Sequence, residues 1–210
     1  METETRIHRC GVVPVVVLER EEYAVPTARA LLAGGIDVME IPFRPEAAPG
    51  AIAAVHAHCP EMLVGAGTVL NVNQARVAAE RGAGFLVSPG FDHELALWCR
   101  EQHMPLIPGC VTPTEIMAAL SLGIHIVKFF PADVYGGLKA MKALSGPFGG
   151  IRFMPTGGVS AENAKDYLTA PFVHAVGGSW LCPKKAITEG DFAAITRLSR
   201  EARTLADACR

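Results

Sequence analysis

The chain has 210 residues, half of them hydrophobic, and a formal net charge of -2. This length is enough for one sizeable core, so we expect a single domain over residues 1–210. The nearly balanced charge argues against nucleic acid or an anionic membrane as a partner, and no apolar run approaches the roughly 20 residues that span a bilayer.

The polar N-terminus, Met1 to Arg6, is not followed by the apolar segment of a signal peptide. The six cysteines are scattered and show no CxxC spacing, which is typical of reduced thiols in a cytosolic protein. Together these features predict a cytoplasmic location.

Short apolar runs alternate along the chain with segments of helical periodicity. The predicted strands are 11–18, 38–44, 63–70, 85–91, 105–110, 126–132, 152–158 and 174–180. The predicted helices are 27–35, 49–58, 73–82, 93–102, 113–122, 138–145, 161–169 and a last one that begins near Asp191.

Continuous apolar strands separated by helices indicate a parallel sheet that is covered by helices. Eight such units favour an α/β fold of the closed (β/α)₈ TIM-barrel type over an open doubly wound sheet. In these barrels the chemistry lies at the C-terminal ends of the strands, so polar residues at those positions are the candidates for the active site.

Lys128 lies in the middle of the apolar run 126–132. Burial of an ammonium group is costly and favours the neutral amine, which is the form that attacks ketones to give a Schiff base. The alternative is a lysine at a strand end that extends its charge into water.

Glu40 and Arg44 lie on one face of the second predicted strand, because residues four apart in a strand point the same way. We expect Glu40 deep in the barrel as a proton carrier and Arg44 at its mouth, where the guanidinium suits a carboxylate or phosphate. The alternative interpretation is that Glu40 and Arg44 form a structural ion pair with each other and have no role in catalysis.

Two glycine turns follow the last two strands, at Thr156-Gly157-Gly158 and at Gly177-Gly178-Ser179. Glycine lets backbone N–H groups approach a phosphate, and loops after strands 7 and 8 of a barrel commonly bind one. The seven histidines show no metal-ligand spacing such as HExxH, so we expect neither a metal nor another cofactor.

With these residues in place, the chain resembles the 2-keto-3-deoxy-6-phosphogluconate aldolases, many of which also act as 4-hydroxy-2-oxoglutarate aldolases. The resemblance extends from about Gly11 to Lys185. The segments that carry it are MEIPFR (39–44), VGAGTVL (64–70), VSPG (87–90), VKFFPA (127–132), PTGGV (155–159) and GGSWL (177–181).

The resemblance implies a class I aldolase on a (β/α)₈ barrel, usually a homotrimer. It assigns the Schiff base to Lys128 and proton transfer to Glu40. The residues that it implies for substrate binding are Arg44, Thr68, Pro89, Phe130 and Thr156, with Gly157, Gly158, Gly178 and Ser179 at the phosphate.

The expected reaction is cleavage of 2-dehydro-3-deoxy-6-phosphogluconate to pyruvate and glyceraldehyde 3-phosphate. Arg44 and Thr156 differ from the asparagine and valine of galactonate-specific relatives, whereas Pro42 is common in that branch. The galactonate substrate and 4-hydroxy-2-oxoglutarate therefore stay open as alternative substrates. Two functions from other classes also stay open: a sugar-phosphate epimerase or synthase, and a module that only binds sugar phosphates.

Overall fold

Short strands alternate with helices through most of residues 2–210, which are the residues that this computed structural model describes. The strands are β1 (Val12–Pro14), β2 (Val38–Pro42), β3 (Leu63–Gly67), β4 (Leu86–Val87), β5 (Leu106–Ile107), β6 (Ile126–Phe129), β7 (Arg152–Pro155) and β8 (Val176–Gly178). The helices are α1 (Glu2–Cys10), α2 (Ala24–Ala33), α3 (Ala48–His58), α4 (Val72–Glu80), α5 (His93–Glu101), α6 (Pro113–Ser121), α7 (Gly137–Ser145), α8 (Ala164–Leu168), α9 (Lys184–Glu189) and α10 (Phe192–Ala208).

The strands pair in parallel and form a closed ring. Continuous ladders join β1 to β8, β6 to β7, and β2 through β5 in sequence order. Single parallel bridges connect these groups: Val15 with Glu40, Gly109 with Lys128, and Thr156 with Gly177. A fourth bridge, Phe153 with Val173, joins β7 to the segment just before β8. The predicted (β/α)₈ barrel is therefore confirmed, and the other three bridges each involve a residue that the sequence marked as functional.

The strands read as continuous apolar runs because both of their faces are covered, one by the barrel interior and one by the helices. Phe85, Phe129 and Phe153 are among the largest fully buried side chains. The rings of Phe129 and Phe153 meet edge to face with centroids 5.9 Å apart, a favourable arrangement for aromatic pairs. This packing fixes β6 against β7.

Polar side chains set the start of several helices at the C-terminal end of the barrel. The side chains of Asn71, Asp92 and Asp191 accept hydrogen bonds from backbone N–H groups in the first turns of α4, α5 and α10. Thr112 and Glu115 form a reciprocal capping box at the start of α6. These caps satisfy N–H groups that have no partner within the helix, and so define where each βα loop ends.

The structure corrects the sequence prediction at both ends of the chain. Helix α1 was not predicted because its exposed face is polar, and only Ile7 and Cys10 are buried. Arg6 and Arg9 hold it to the barrel through Asp37, at 3.0 Å and 2.9 Å. Helix α9, six residues long, was also missed, since so short a segment has too few residues to show periodicity.

The strand bounds were predicted too long and the start of α2 too late. For example, the run predicted as 85–91 contains only the two-residue strand β4, and the rest is βα loop. Helix α2 begins at Ala24, three residues before the prediction, because Pro26 lies in its first turn, where proline is tolerated.

Two further findings bear on the expectations from composition. Among residues 2–210, no helix has the length and apolar character needed to cross a membrane. None of the six cysteines forms a disulfide, and all except Cys209 are buried. Burial raises the pKa of Cys99, Cys110 and Cys182 to about 12, so these thiols are protonated and unreactive at neutral pH.

Candidate active site

Lys128 and Glu40 meet inside the barrel, although their strands, β6 and β2, are not neighbours. Lys128 Nζ lies 3.6 Å from Glu40 Oε1, and the two side chains are 6% and 1% exposed. Within the described residues, neither carboxylate oxygen of Glu40 has a hydrogen-bond partner. An amine and a free carboxylate at this spacing can exchange a proton with each other or with a molecule bound between them.

Gly67, the last residue of β3, makes room for the Glu40 carboxylate. A Cβ atom on Gly67 would overlap Oε1 and lie only 2.5 Å from Cδ and 2.6 Å from Cγ of Glu40. Any residue other than glycine here would therefore displace the carboxylate. In the sequence, Gly67 stood out only as part of the VGAGTVL segment, and the structure gives it the specific task of admitting the Glu40 carboxylate.

Phe130 forms a wall beside the amine. Its ring centroid lies 5.1 Å from Lys128 Nζ, and the ring is partly exposed at the mouth of the barrel. An aromatic face at this distance is attractive to a cation and also limits access of water.

Arg44, Thr68 and Pro89 follow the ends of three consecutive strands, β2, β3 and β4. Arg44 is exposed at the mouth, and the preceding residue, Phe43, donates its N–H to the Gly67 carbonyl at 2.6 Å. Thr68 has φ 55°, a left-handed conformation that is unfavourable for a residue with a branched side chain. Backbone strain of this kind commonly marks a functional position.

The end of β7 presents two consecutive glycines with left-handed backbones, Gly157 at φ +88° and Gly158 at φ +72°. Glycine adopts such backbones without strain, and its lack of a side chain lets an anion approach the backbone N–H groups closely. Thr156 is buried beside them, with a hydroxyl that has no partner among the described residues, and it is bridged to Gly177 on β8. Gly178 is buried and Ser179 is exposed, next along that strand end.

Asn163 is a functional candidate that sequence analysis missed. Its side-chain amide donates to the Gly158 carbonyl at 2.8 Å and its side-chain oxygen accepts from the Ser160 N–H at 2.9 Å. One side chain therefore holds both ends of the turn that follows Gly157. The only signal in the sequence was that an asparagine stands five residues after the second glycine. Asparagine occurs near turns for many structural reasons, so this spacing alone does not indicate a function.

Among residues 2–210, no three His, Cys, Asp or Glu side chains are grouped as a metal site would require. The Lys128 amine and the Glu40 carboxylate meet inside the barrel, and the strand ends around them carry the guanidinium of Arg44, hydroxyls and glycine N–H groups. This set suits covalent catalysis on an anionic carbonyl compound.

Comparison with known sequences identifies close relatives over almost the whole chain. The family model of KDPG and KHG aldolases matches residues 3–198. The chain is 49% identical over 195 residues to the 2-dehydro-3-deoxy-phosphogluconate aldolase of Treponema pallidum, covering 93% of each protein. It is 48% identical over 191 residues to the KHG/KDPG aldolase of Escherichia coli K12, covering 91% of this chain and 90% of that one.

Solved structures give the same picture. The KDPG aldolase of Legionella pneumophila, with pyruvate captured as a covalent carbinolamine intermediate, superposes with a TM-score of 0.93 at 38% identity, covering 96% of this chain and 98% of that one. A native KDPGal structure superposes less well, with a TM-score of 0.77 at 29% identity over 91% of this chain and 95% of the other.

Proposed function

The chain belongs to the KDPG and KHG aldolase family, and we propose that Lys128 performs its reaction by forming a Schiff base with the substrate ketone. The single observation that carries this assignment is the buried pair of Lys128 and Glu40 at 3.6 Å. A buried amine beside a carboxylate without hydrogen-bond partners has little structural purpose but is what imine chemistry requires.

The protein is a class I aldolase, a carbon–carbon lyase that cleaves 2-dehydro-3-deoxy-6-phosphogluconate to pyruvate and glyceraldehyde 3-phosphate. Relatives at 43% to 49% identity named 2-dehydro-3-deoxy-phosphogluconate aldolase support this substrate. The lower similarity to the KDPGal structure supports the gluconate over the galactonate configuration, in agreement with Arg44 and Thr156.

The proposed mechanism uses one proton carrier throughout. Neutral Lys128 attacks the C2 ketone, and Glu40 transfers protons so that the carbinolamine forms and water leaves, giving a protonated imine. The Glu40 carboxylate then takes the C4 hydroxyl proton while the C3–C4 bond breaks. The electron pair of that bond moves toward the imine nitrogen, which forms an enamine. Glu40 returns that proton to C3, and hydrolysis releases pyruvate and the free amine.

The other candidate residues bind the two ends of the substrate. Arg44 and Thr68 hold the carboxylate next to the ketone, while Pro89 and Phe130 line the pocket. Thr156 offers its unpartnered buried hydroxyl to the substrate chain. The phosphate lies against the β7 and β8 ends, where Gly157, Gly158, Gly178 and Ser179 provide the donors. No metal or other cofactor is required for this chemistry, because the imine itself accepts the electrons.

A second substrate is 4-hydroxy-2-oxoglutarate, which has no phosphate. The name KHG/KDPG aldolase of the E. coli relative supports it. The reacting groups are the same for both substrates, so their relative kcat/KM values report how much the phosphate site contributes.

We also propose that residues 1–210 form one cytoplasmic domain that assembles as a homotrimer. The resemblance to aldolases that are usually homotrimers supports this assembly. Sedimentation equilibrium would test the assembly, and a monomer at micromolar concentration would contradict it.

Borohydride trapping tests the Schiff base directly. The protein is incubated with pyruvate and borohydride, and its intact mass and peptide map are measured. A reduced pyruvyl adduct is expected on Lys128 and should be absent in Lys128→Ala and Lys128→Arg, since a guanidinium stays protonated and is a poor nucleophile. The exposed Lys139→Ala is the control and should be trapped normally. An adduct on another lysine, or none in the folded wild type, would refute the assignment.

Glu40→Gln tests the proton carrier. Loss of the ionisable group should lower kcat by about a hundredfold or more, the usual contribution of general acid–base catalysis. An unchanged kcat would remove Glu40 from the mechanism.

A further inference from the structure

A cavity of about 290 Å³ opens where β1 and β8 end. It is lined by Val15, Val17, Glu19, Ser179, Cys182, Pro183 and Lys184. Val15 links the cavity to the strand of the proton carrier, because its backbone is bridged to that of Glu40. Ser179, which we place at the substrate phosphate, therefore shares one cavity with two charged side chains to which sequence analysis gave no role.

The phosphate donors proposed so far are all neutral: backbone N–H groups and one hydroxyl. A phosphate group carries between one and two negative charges at neutral pH and binds more tightly when a cation is within reach. Arg44 is assigned to the other end of the substrate, on the β2 side of the mouth. Lys184 is the cation that lines the cavity of Ser179.

Lys184 is paired with a carboxylate in the same cavity. Its Nζ lies 3.0 Å from Glu19 Oε1, and both side chains are more than half exposed. An exposed ion pair of this kind contributes little to stability, so its partners separate at small cost. Glu19 keeps the ammonium at the cavity, and an arriving phosphate can compete for it.

Resting on the function proposed above, we propose that Lys184 binds the substrate phosphate and that Glu19 moderates this contact by competing for the same ammonium. The pair is then a specificity element. It favours phosphorylated 2-keto acids over the unphosphorylated 4-hydroxy-2-oxoglutarate and does not act on the C3–C4 bond. The long, flexible lysine side chain suits this exchange between two partners.

Steady-state kinetics with both substrates tests the proposal. Lys184→Ala should raise KM for the phosphorylated substrate about tenfold, the loss expected for one hydrogen bond to a charged group, with kcat retained. The kinetic parameters for 4-hydroxy-2-oxoglutarate should change less than twofold. Lys184→Arg should restore most of the lost affinity. The difference in KM between the wild type and Lys184→Ala should shrink as ionic strength rises, because salt screens the charge of the lysine.

Lys185→Ala is the matched control. Lys185 is the next residue, carries the same charge and belongs to the same helix, but it pairs with Glu189 at 3.9 Å and does not line the cavity. Its replacement should leave KM for both substrates unchanged. Glu19→Gln should lower KM for the phosphorylated substrate only by about twofold, because the ammonium loses a competing partner that holds it weakly.

Inorganic phosphate provides a measurement that does not depend on turnover. It should compete with the phosphorylated substrate, and its inhibition constant should rise in Lys184→Ala but not in Lys185→Ala. The role of Lys184 is refuted, while the phosphate site stands, if Lys184→Ala leaves KM for the phosphorylated substrate and the inhibition constant of phosphate unchanged. It is also refuted if Lys184→Ala raises KM for both substrates equally. If wild-type protein neither prefers the phosphorylated substrate nor is inhibited by phosphate, the phosphate site itself is wrong, and the inference is refuted with it.

Discussion

Replacement of Gly67 by alanine should disable the active site without touching a reacting group. The added Cβ would lie 2.5 Å from Cδ and 2.6 Å from Cγ of Glu40, whereas nonbonded carbons settle about 3.5–4.0 Å apart. The carboxyl group must therefore move by about 1 Å. It is 1% exposed and packed inside the barrel, so it has no open direction in which to keep its 3.6 Å distance to Lys128.

A displacement of about 1 Å at a reacting group can cost about a hundredfold in rate. We expect Gly67→Ala to lower kcat by about this factor and to slow borohydride trapping of pyruvate, because Glu40 assists imine formation as well as cleavage. Overpacking of a buried site should also lower the free energy of unfolding by about 1–3 kcal/mol. Both can be measured on one preparation, by a coupled assay for pyruvate release and by urea unfolding.

Two variants separate a displaced carboxylate from a general loss of structure. Gly149→Ala adds the same methyl group where no atom lies within 4 Å, and it should leave rate and stability unchanged. Glu40→Ala removes both Cγ and Cδ and should be slow alone, but adding Gly67→Ala to it should lower the free energy of unfolding much less than in the wild type, since the atoms that clash are gone. A folded Gly67→Ala protein with wild-type kcat would refute the reasoning.

Two further changes address parts of the molecule away from the reacting pair. Asn163→Ala should raise KM for the phosphorylated substrate several-fold while sparing 4-hydroxy-2-oxoglutarate, because Gly158 and Ser160 lose the side chain that joins them; equal losses on both substrates would contradict this role. Burial lowers the pKa of His174 to about 4, so its ring stays neutral in the folded protein while the unfolded state gains a proton near pH 6.5. The free energy of unfolding should therefore fall by up to about 3 kcal/mol as pH drops from 6.5 to 4, and His174→Asn should flatten that slope whereas exposed His93→Asn should not.

The barrel was predictable because its determinants are local. Apart from Lys128, the run from Ile126 to Phe129 is apolar, and only a strand covered on both faces needs that composition. Lysine in such a run contradicts its surroundings, and contradictions of this kind mark functional sites in a sequence. Helix α1 was not predictable in the same way, since its attachment depends on Arg6 and Arg9 meeting Asp37, which lies some 30 residues away in the chain.

What the sequence could not provide is distance across the barrel. Glu40 and Lys128 lie on strands that are not neighbours, so no pairing register relates them, and their 3.6 Å separation exists only because the ring of strands is closed. The same holds for Glu19 and Lys184, which lie in the segments that follow β1 and β8, the first and last strands of the ring. Local pattern therefore indicates which residues are functional, while closure of the barrel determines which of them act together. Gly67 carries no reacting group and acts only through its packing against Glu40. Replacing Gly67 therefore tests the geometry of the site more severely than replacing either reacting residue.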